Sequence, residues 1–340
     1  MIRGMSDWFE RLTGFPEAGY ESTRSRLRVE GDELVSTVNG RRYACGELSI
    51  PTLAELRSRV NVPVAQRSTV SSLVGDARAL HAEPEFAGAL FQVASQFNLL
   101  EMTDYSVRPE EGVTRYAYDR TQGPACAIAA GAATIYRNYC VPVAGGTGQT
   151  SDRQLDALAG LGDALSAELG QPARALWTTR NGYALCTEEG LNAIAGLLAG
   201  ASEGLRDALR GQLAVGLHRN VEVTDVTEGP RRIVSQAFCS ALPVSYSMVP
   251  RAAWESFARL VLEAAYEATV LAAAEQAASG GSNTVLLTRL GGGAFGNADA
   301  WIDDAMRRAL AVVEYAGLDI RVVGYGAVHP SVRTIIDEWG

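Results

Sequence analysis

Residues 288–310 read TRLGGGAFGNADAWIDDAMRRAL, and the fold turns on how this stretch is laid out. The apolar run Val285 to Leu287 leads through Leu290 into three consecutive glycines; Ala294, Phe295, a fourth glycine and Asn297 follow, and helical spacing then sets in. The pattern predicts a strand over 284–290, a glycine loop, and a helix over 299–316. In such an arrangement backbone N–H groups can converge on an anion. Glycine lets the main chain approach a phosphate without Cβ clashes, and the helix adds its N-terminal dipole and unpaired donors. The Lys-Ser/Thr of a Walker A loop is missing, and the loop sits near the C-terminus rather than in a first βαβ unit, so it is no dinucleotide fingerprint. The same glycines could also serve only as a tight connection that packs helix on sheet.

Working outward, DIRVVGYG (319–326) predicts a strand parallel to the one before the loop. AAWESFARLVLEAAYEATVLAAAEQAA (252–278) is the longest helical pattern, closed by Ser279-Gly280-Gly281-Ser282. Strand-like runs lie at 89–97, 173–186, 214–223 and 232–247. Helices are expected within 69–90 and over 123–139, 153–169 and 188–210, with a short one after Pro51. Asn39-Gly40 and Gly31-Asp32 mark hairpins within 27–48. Strands alternating with helices argue for an α/β fold of three layers.

The 340 residues are 47% apolar and carry a net charge of −9, which disfavours general binding to nucleic acid or an anionic membrane. The opening MIRGMSDWFERLTG lacks the apolar core of an export signal, so a cytoplasmic protein is expected. Five scattered cysteines without a CxxC pair, and three histidines far from them in sequence, give no zinc pattern; reduced thiols, no metal and no cofactor are expected.

LGGGAFGNADAWIDDAM resembles the second phosphate loop of macrodomains, closest to the microbial-type poly(ADP-ribose) glycohydrolase branch. FQVASQFNLLE (91–101) is similar to the strand of that family whose end approaches the distal ribose. The resemblance implies a macrodomain-like mixed sheet flanked by helices, with large insertions. It divides the chain into an N-terminal extension with a hairpin (1–80) and an ADP-ribose-binding core (81–340) with an insertion at about 145–280. Gly292, Gly293, Ala294, Phe295, Gly296 and Asn297 would wrap a diphosphate, and Gln92, Ser95 and Asn98 would meet the ribose. The implied partner is ADP-ribose, an ADP-ribosylated group, NAD or a related nucleotide diphosphate.

The family's Gln-Glu-Glu run departs here. Gln122 matches, but Gly123 and Pro124 replace the acids. Cleavage at an anomeric carbon needs a carboxyl group to protonate the leaving group or activate water. The nearest substitutes are Glu101 and Asp119, with Asp104 as a third. Three functions compete: an ADP-ribosyl hydrolase with a relocated acid, a non-catalytic reader of ADP-ribose or an NAD metabolite, and a hydrolase dependent on Cys126. The last would place a thiol in a first helical turn, paired with His218. Arg137, ending the 123–139 helix, could pair with a phosphate or carboxylate across a cleft. Trp177, Tyr183, Trp254 and Trp301 read as packing anchors, and Ser245 and Tyr246 as candidates to line a pocket.

Overall fold

The computed structural model describes residues 7–60 and 66–340; Met1–Ser6, part of the stretch read for an export signal, lie outside the described residues. Seven strands form the central sheet: β1 (Glu47–Ser49), β2 (Thr69–Val74), β3 (Leu90–Ala94), β4 (Gly216–Glu222), β5 (Ile233–Cys239), β6 (Thr284–Leu287) and β7 (Asp319–Gly324). Their spatial order is β1-β4-β5-β3-β6-β7-β2. β4 runs antiparallel to β1 and β5, whereas β5, β3, β6, β7 and β2 pair in parallel. The sheet is therefore mixed, as the resemblance implied.

Helices cover both faces, which makes three layers. Val285 and Leu287 of β6 join the core beneath the long helix Arg251–Ala278, with Phe257, Val261 and Ile302. Leu286, one residue out of phase, faces the opposite layer with Phe91, Ala130 and Ala133. That alternation is the period of two that a strand buried on both faces must show. The long helix has 28 residues, about 42 Å at 1.5 Å per residue, and spans the sheet. No described helix is long and apolar enough to cross a membrane.

Four segments differ from the sequence pattern. Residues 69–74, expected to be helical, form edge strand β2, where pairing with β7 from Asp319↔Thr69 to Gly324↔Val74 outweighs local propensity. The helix expected over 123–139 breaks into α1 (Gln122–Ala129) and α2 (Gly131–Tyr139). Thr224 causes the break: its N–H donates to Ala129 O at 2.8 Å and its hydroxyl accepts from Gly131 N at 2.9 Å, replacing helical partners. The 188–210 segment divides into Glu188–Gly200 and Glu203–Gly211, because Ser202 Oγ accepts from Leu205 N and starts a new helix. Residues 177–186 fold into a hairpin, Trp177–Arg180 against Tyr183–Cys186. Its turn holds Asn181 and Gly182 at positive φ, 46° and 79°, the geometry that Asn-Gly favours.

Within residues 1–80, β1 and β2 close the two edges of the central sheet, beside a separate three-stranded meander whose turns hold Gly31 and Gly40 at positive φ. Between 145 and 280 lie β4, β5 and the long helix. The 177–186 hairpin is anchored at its base by Trp177, which stacks on Phe257 at 5.3 Å between ring centroids. Phe257→Ala should therefore destabilise the protein by about 3–5 kcal/mol in urea unfolding.

Candidate active-site crevice

β3 and β6 pair only at Leu90–Val285 and Phe91–Leu286 and then diverge. Diverging strands leave polar backbone groups in the interior, and each must find another partner. Side-chain amides supply most of them. Gln122 Oε1 accepts from Ala94 N at 2.9 Å, and its Nε2 donates to Gln92 O at 2.8 Å. Gln92 Oε1 in turn accepts from Thr288 N, while its Nε2 donates to Thr269 Oγ1. Tyr266 donates its hydroxyl to Thr288 O and accepts from Leu290 N. The crevice so opened lies at the C-terminal ends of parallel strands, where ligands of α/β sheets bind.

A cavity of about 340 Å³ fills the crevice, within the range of small-molecule sites. One wall is the glycine loop (Thr288 to Gly291 and Gly293 to Phe295), and the opposite wall is Ala94 to Gln96, Glu101 to Thr103 and Asp119 to Pro124. Tyr183 and Tyr246 join Phe295 at one end, with ring centroids 5.4–5.6 Å apart. Tyr325, 83% exposed just beyond β7, stands on the rim.

The four glycines are not equivalent. Gly291 and Gly296 lie at φ 75° and 71°, and a Cβ on either would run into Ala241 and Asn297, or into Ser245. A Cβ at Gly292 would come to 3.1 Å from Ile302. At Gly293 a Cβ would meet nothing within 4 Å. Contacts within the protein thus account for Gly291 and Gly296, and more loosely for Gly292, whereas none of them requires a glycine at position 293. The loop is braced by Gly296 N donating to Gly293 O and Asn297 N to Gly291 O, each 3.0 Å. The N–H groups of Gly293, Ala294 and Phe295 have no acceptor among the described residues. Three successive free donors on a cavity wall can cradle an anion. The helix after the loop adds nothing to this wall: it begins with Asp299, which pairs with Arg289, and its N-terminus stays off the cavity.

Facing this loop, Glu101 is only 1% exposed yet stands on the cavity wall. Burial pushes its carboxyl group up to about 7, against the opposing pull of Arg137. Arg137, fully buried on α2, reaches it at 3.4 Å. A Cβ on Gly123 would collide with Ala94 O and lie 3.2 Å from Glu101 Cγ, so the glycine first admits the end of β3, and Glu101 packs beside it. Asp119 is half-buried, and its Oδ1 accepts from the N–H and hydroxyl of Thr121 at 2.8 and 2.7 Å. Arg120, exposed at the mouth, has no carboxylate partner among the described residues.

Of the residues singled out in the sequence, Ser95, Glu101, Asp119, Gln122, Gly293, Ala294 and Phe295 line the cavity together. Gln92, Asn98, Gly292, Gly296 and Asn297 do not. Asn98 is spent on Leu100 N and Gln154, and Asn297 donates to Leu242 O. Asp104 is held by Ser106 and lies off this wall. The Cys126 thiol is fully buried, away from the cavity, and burial raises it well above its ordinary value; His218 faces Arg137 instead. This thiol is not an activated nucleophile. Tyr183, taken for a packing anchor, is a wall residue. The Asn181-Gly182 pair beside it is the signal that could have placed it at a hairpin tip. Among the described residues no group of three or more His, Cys, Asp or Glu side chains is placed to hold a metal.

No protein-family model matches the chain, and no curated protein sequence does. Among solved structures it is similar to poly(ADP-ribose) glycohydrolase from Deinococcus radiodurans in complex with ADP-ribose, at 12% identity and a TM-score of 0.44 over 86% of this chain and 94% of that one. The enzyme from Thermomonospora curvata gives 10% identity and 0.42, over 94% and 96%. Its complex with the inhibitor ADP-HPD gives 11% and 0.40, over 94% and 95%.

The inequality of the glycines can be measured on the unliganded protein. Gly296→Ala should cost about 1–3 kcal/mol in thermal or urea unfolding, through the forced backbone and the collision with Ser245. Gly293→Ala should stay within about 0.5 kcal/mol of the parent.

Proposed function

We propose that the crevice binds ADP-ribose or an ADP-ribosyl group, and that the protein hydrolyses an ADP-ribosyl glycosidic linkage with Glu101 as its acid. The observation that carries the hydrolytic part is the placement of Glu101: a buried carboxyl group on the cavity wall, packed against Gly123, the position at which the resembled family has an acid. A carboxylic acid that titrates near neutrality can both give and take a proton at working pH. Asp119 is the weaker candidate, because its oxygen is engaged in capping Thr121.

The ligand fits as follows. The free N–H groups of residues 293–295 take the diphosphate, with Arg120 as the unpaired cation at the mouth. The exposed ring of Tyr325 offers a stacking face for the base. Ser95 and the Tyr183–Tyr246–Phe295 corner meet the distal sugar. Hydrolysis then runs in two proton transfers. As the bond between anomeric carbon and leaving oxygen breaks, its electron pair stays with the oxygen, which takes the proton of Glu101. Water adds to the carbon, and its proton returns to the carboxylate.

Calorimetric titration with ADP-ribose should show saturable binding that Gly293→Val abolishes while the fold stays intact. Tyr325→Ala should weaken that binding by about 1–3 kcal/mol. Glu101→Gln should keep the binding and lower hydrolysis of an ADP-ribose O-alkyl glycoside by about 10²–10⁴. Since the protonated acid is the active form and burial holds its pKa at about 7, kcat/KM should fall as pH rises through that value. Binding without any hydrolysis would make the protein a reader of ADP-ribose; no binding by the folded parent would remove ADP-ribose altogether.

A further inference from the structure

We infer that Arg137 is a positioning residue for the proposed hydrolysis: its buried guanidinium holds the turn before Glu101 together with the Glu101 carboxyl group, and stabilises the carboxylate left when the proton is given up. The inference rests on the reading of Glu101 as the acid.

The geometry is specific. Arg137 Nε donates to Leu99 O at 2.9 Å, and Nη2 reaches Thr134 Oγ1 at 3.1 Å and the Glu101 oxygens at 3.4 and 3.5 Å. The guanidinium carbon lies 3.8 Å from the centroid of the Phe238 ring. Leu99 has φ 63°, an unfavourable left-handed conformation for a residue with a branched side chain. It persists because the surroundings fix it: its carbonyl is held by Arg137, its N–H donates to Gln96 O, and Gly216 leaves room for its side chain. Gln149 Nε2 ties Asn98 O to Arg137 O, at 3.0 Å each. One guanidinium thus fixes the backbone two residues before the acid and the acid's own oxygens.

Among the described residues it is also the one cation facing that carboxyl group. From the 3-10 turn Thr114–Tyr118 comes the Tyr116 hydroxyl, which accepts from Glu101 N; from α1 comes Cys126. His218 of β4 stands behind Arg137, and burial, then the arginine, keeps it neutral. Tyr116 and Cys126 are held neutral by burial as well. A group this buried would keep its proton too firmly if no cation met it. Arg137 does not line the cavity, so it can act on the chemistry only through Glu101.

The test compares Arg137→Met and Arg137→Lys with the parent. Glu101 is followed by carbon-13 NMR titration of its carboxyl group, assigned by its loss in Glu101→Gln. Alongside it runs the pH profile of kcat/KM on an ADP-ribose O-alkyl glycoside. In the methionine variant Glu101 should titrate about 1–3 pH units higher, the descending limb of the profile should move with it, and the affinity for ADP-ribose should be unchanged. The lysine variant, which keeps the charge and loses the grip on Leu99 O, should keep the parental limb at a lower rate; should the methionine variant fail to fold, this one decides. An unmoved Glu101 titration in a folded methionine variant, or a lysine variant as fast as the parent, overturns the role of Arg137. A parent inert toward the glycoside, with the titration nevertheless moved, overturns the hydrolysis and leaves Arg137 as the group that sets the charge of Glu101.

Discussion

Everything at the crevice depends on how two parting strands keep their backbone polar groups satisfied. β3 and β6 share two residue pairs and then separate, inside a protein where water cannot serve the freed N–H and C=O groups. Gln122, Gln92 and Tyr266 take over, each bonding main chain on a neighbouring element. They hold the glycine loop to the long helix and the end of β3 to α1. Without these bonds the parted strand ends would carry unpaired main-chain groups, a cost the interior does not tolerate.

The same constraint explains which polar residues face the cavity. Gln92 and Asn98 carry chemistry suited to a sugar, but their amide groups are already consumed by the architecture. What remains free is main chain: the N–H groups of residues 293–295, exposed because glycine permits the loop to turn there. Glu101 shows the opposite balance. Its environment combines burial, which favours the neutral acid, with a cation at 3.4 Å, which favours the carboxylate. Burial prevails, and the carboxyl group rests near neutrality rather than in the usual acid range.

Parts of this were legible in the sequence because they are local. The β6–loop–helix unit, the long helix and the meander turns each follow from patterns within a few residues. Ser95, Gln96 and Glu101 meet the glycine loop across the cavity because both segments follow parallel strands that end on the same side of the sheet. Less legible was the edge strand 69–74, whose state is set by β7 from the far end of the chain. The break at Ala130 was hidden for the same reason: Thr224 imposes it from across the fold.

The sequence by itself determined the alternation of strands and helices and the glycine loop, because composition and short-range periodicity express these directly. Only the tertiary structure decided that Gly291 and Gly296 are held by contacts and backbone geometry while Gly293 faces open space, that Glu101 packs beside Gly123, and that Tyr183 reaches the wall from the 177–186 hairpin. Those are facts about distance between residues remote in sequence. Sterics, burial and charge act through that distance alone.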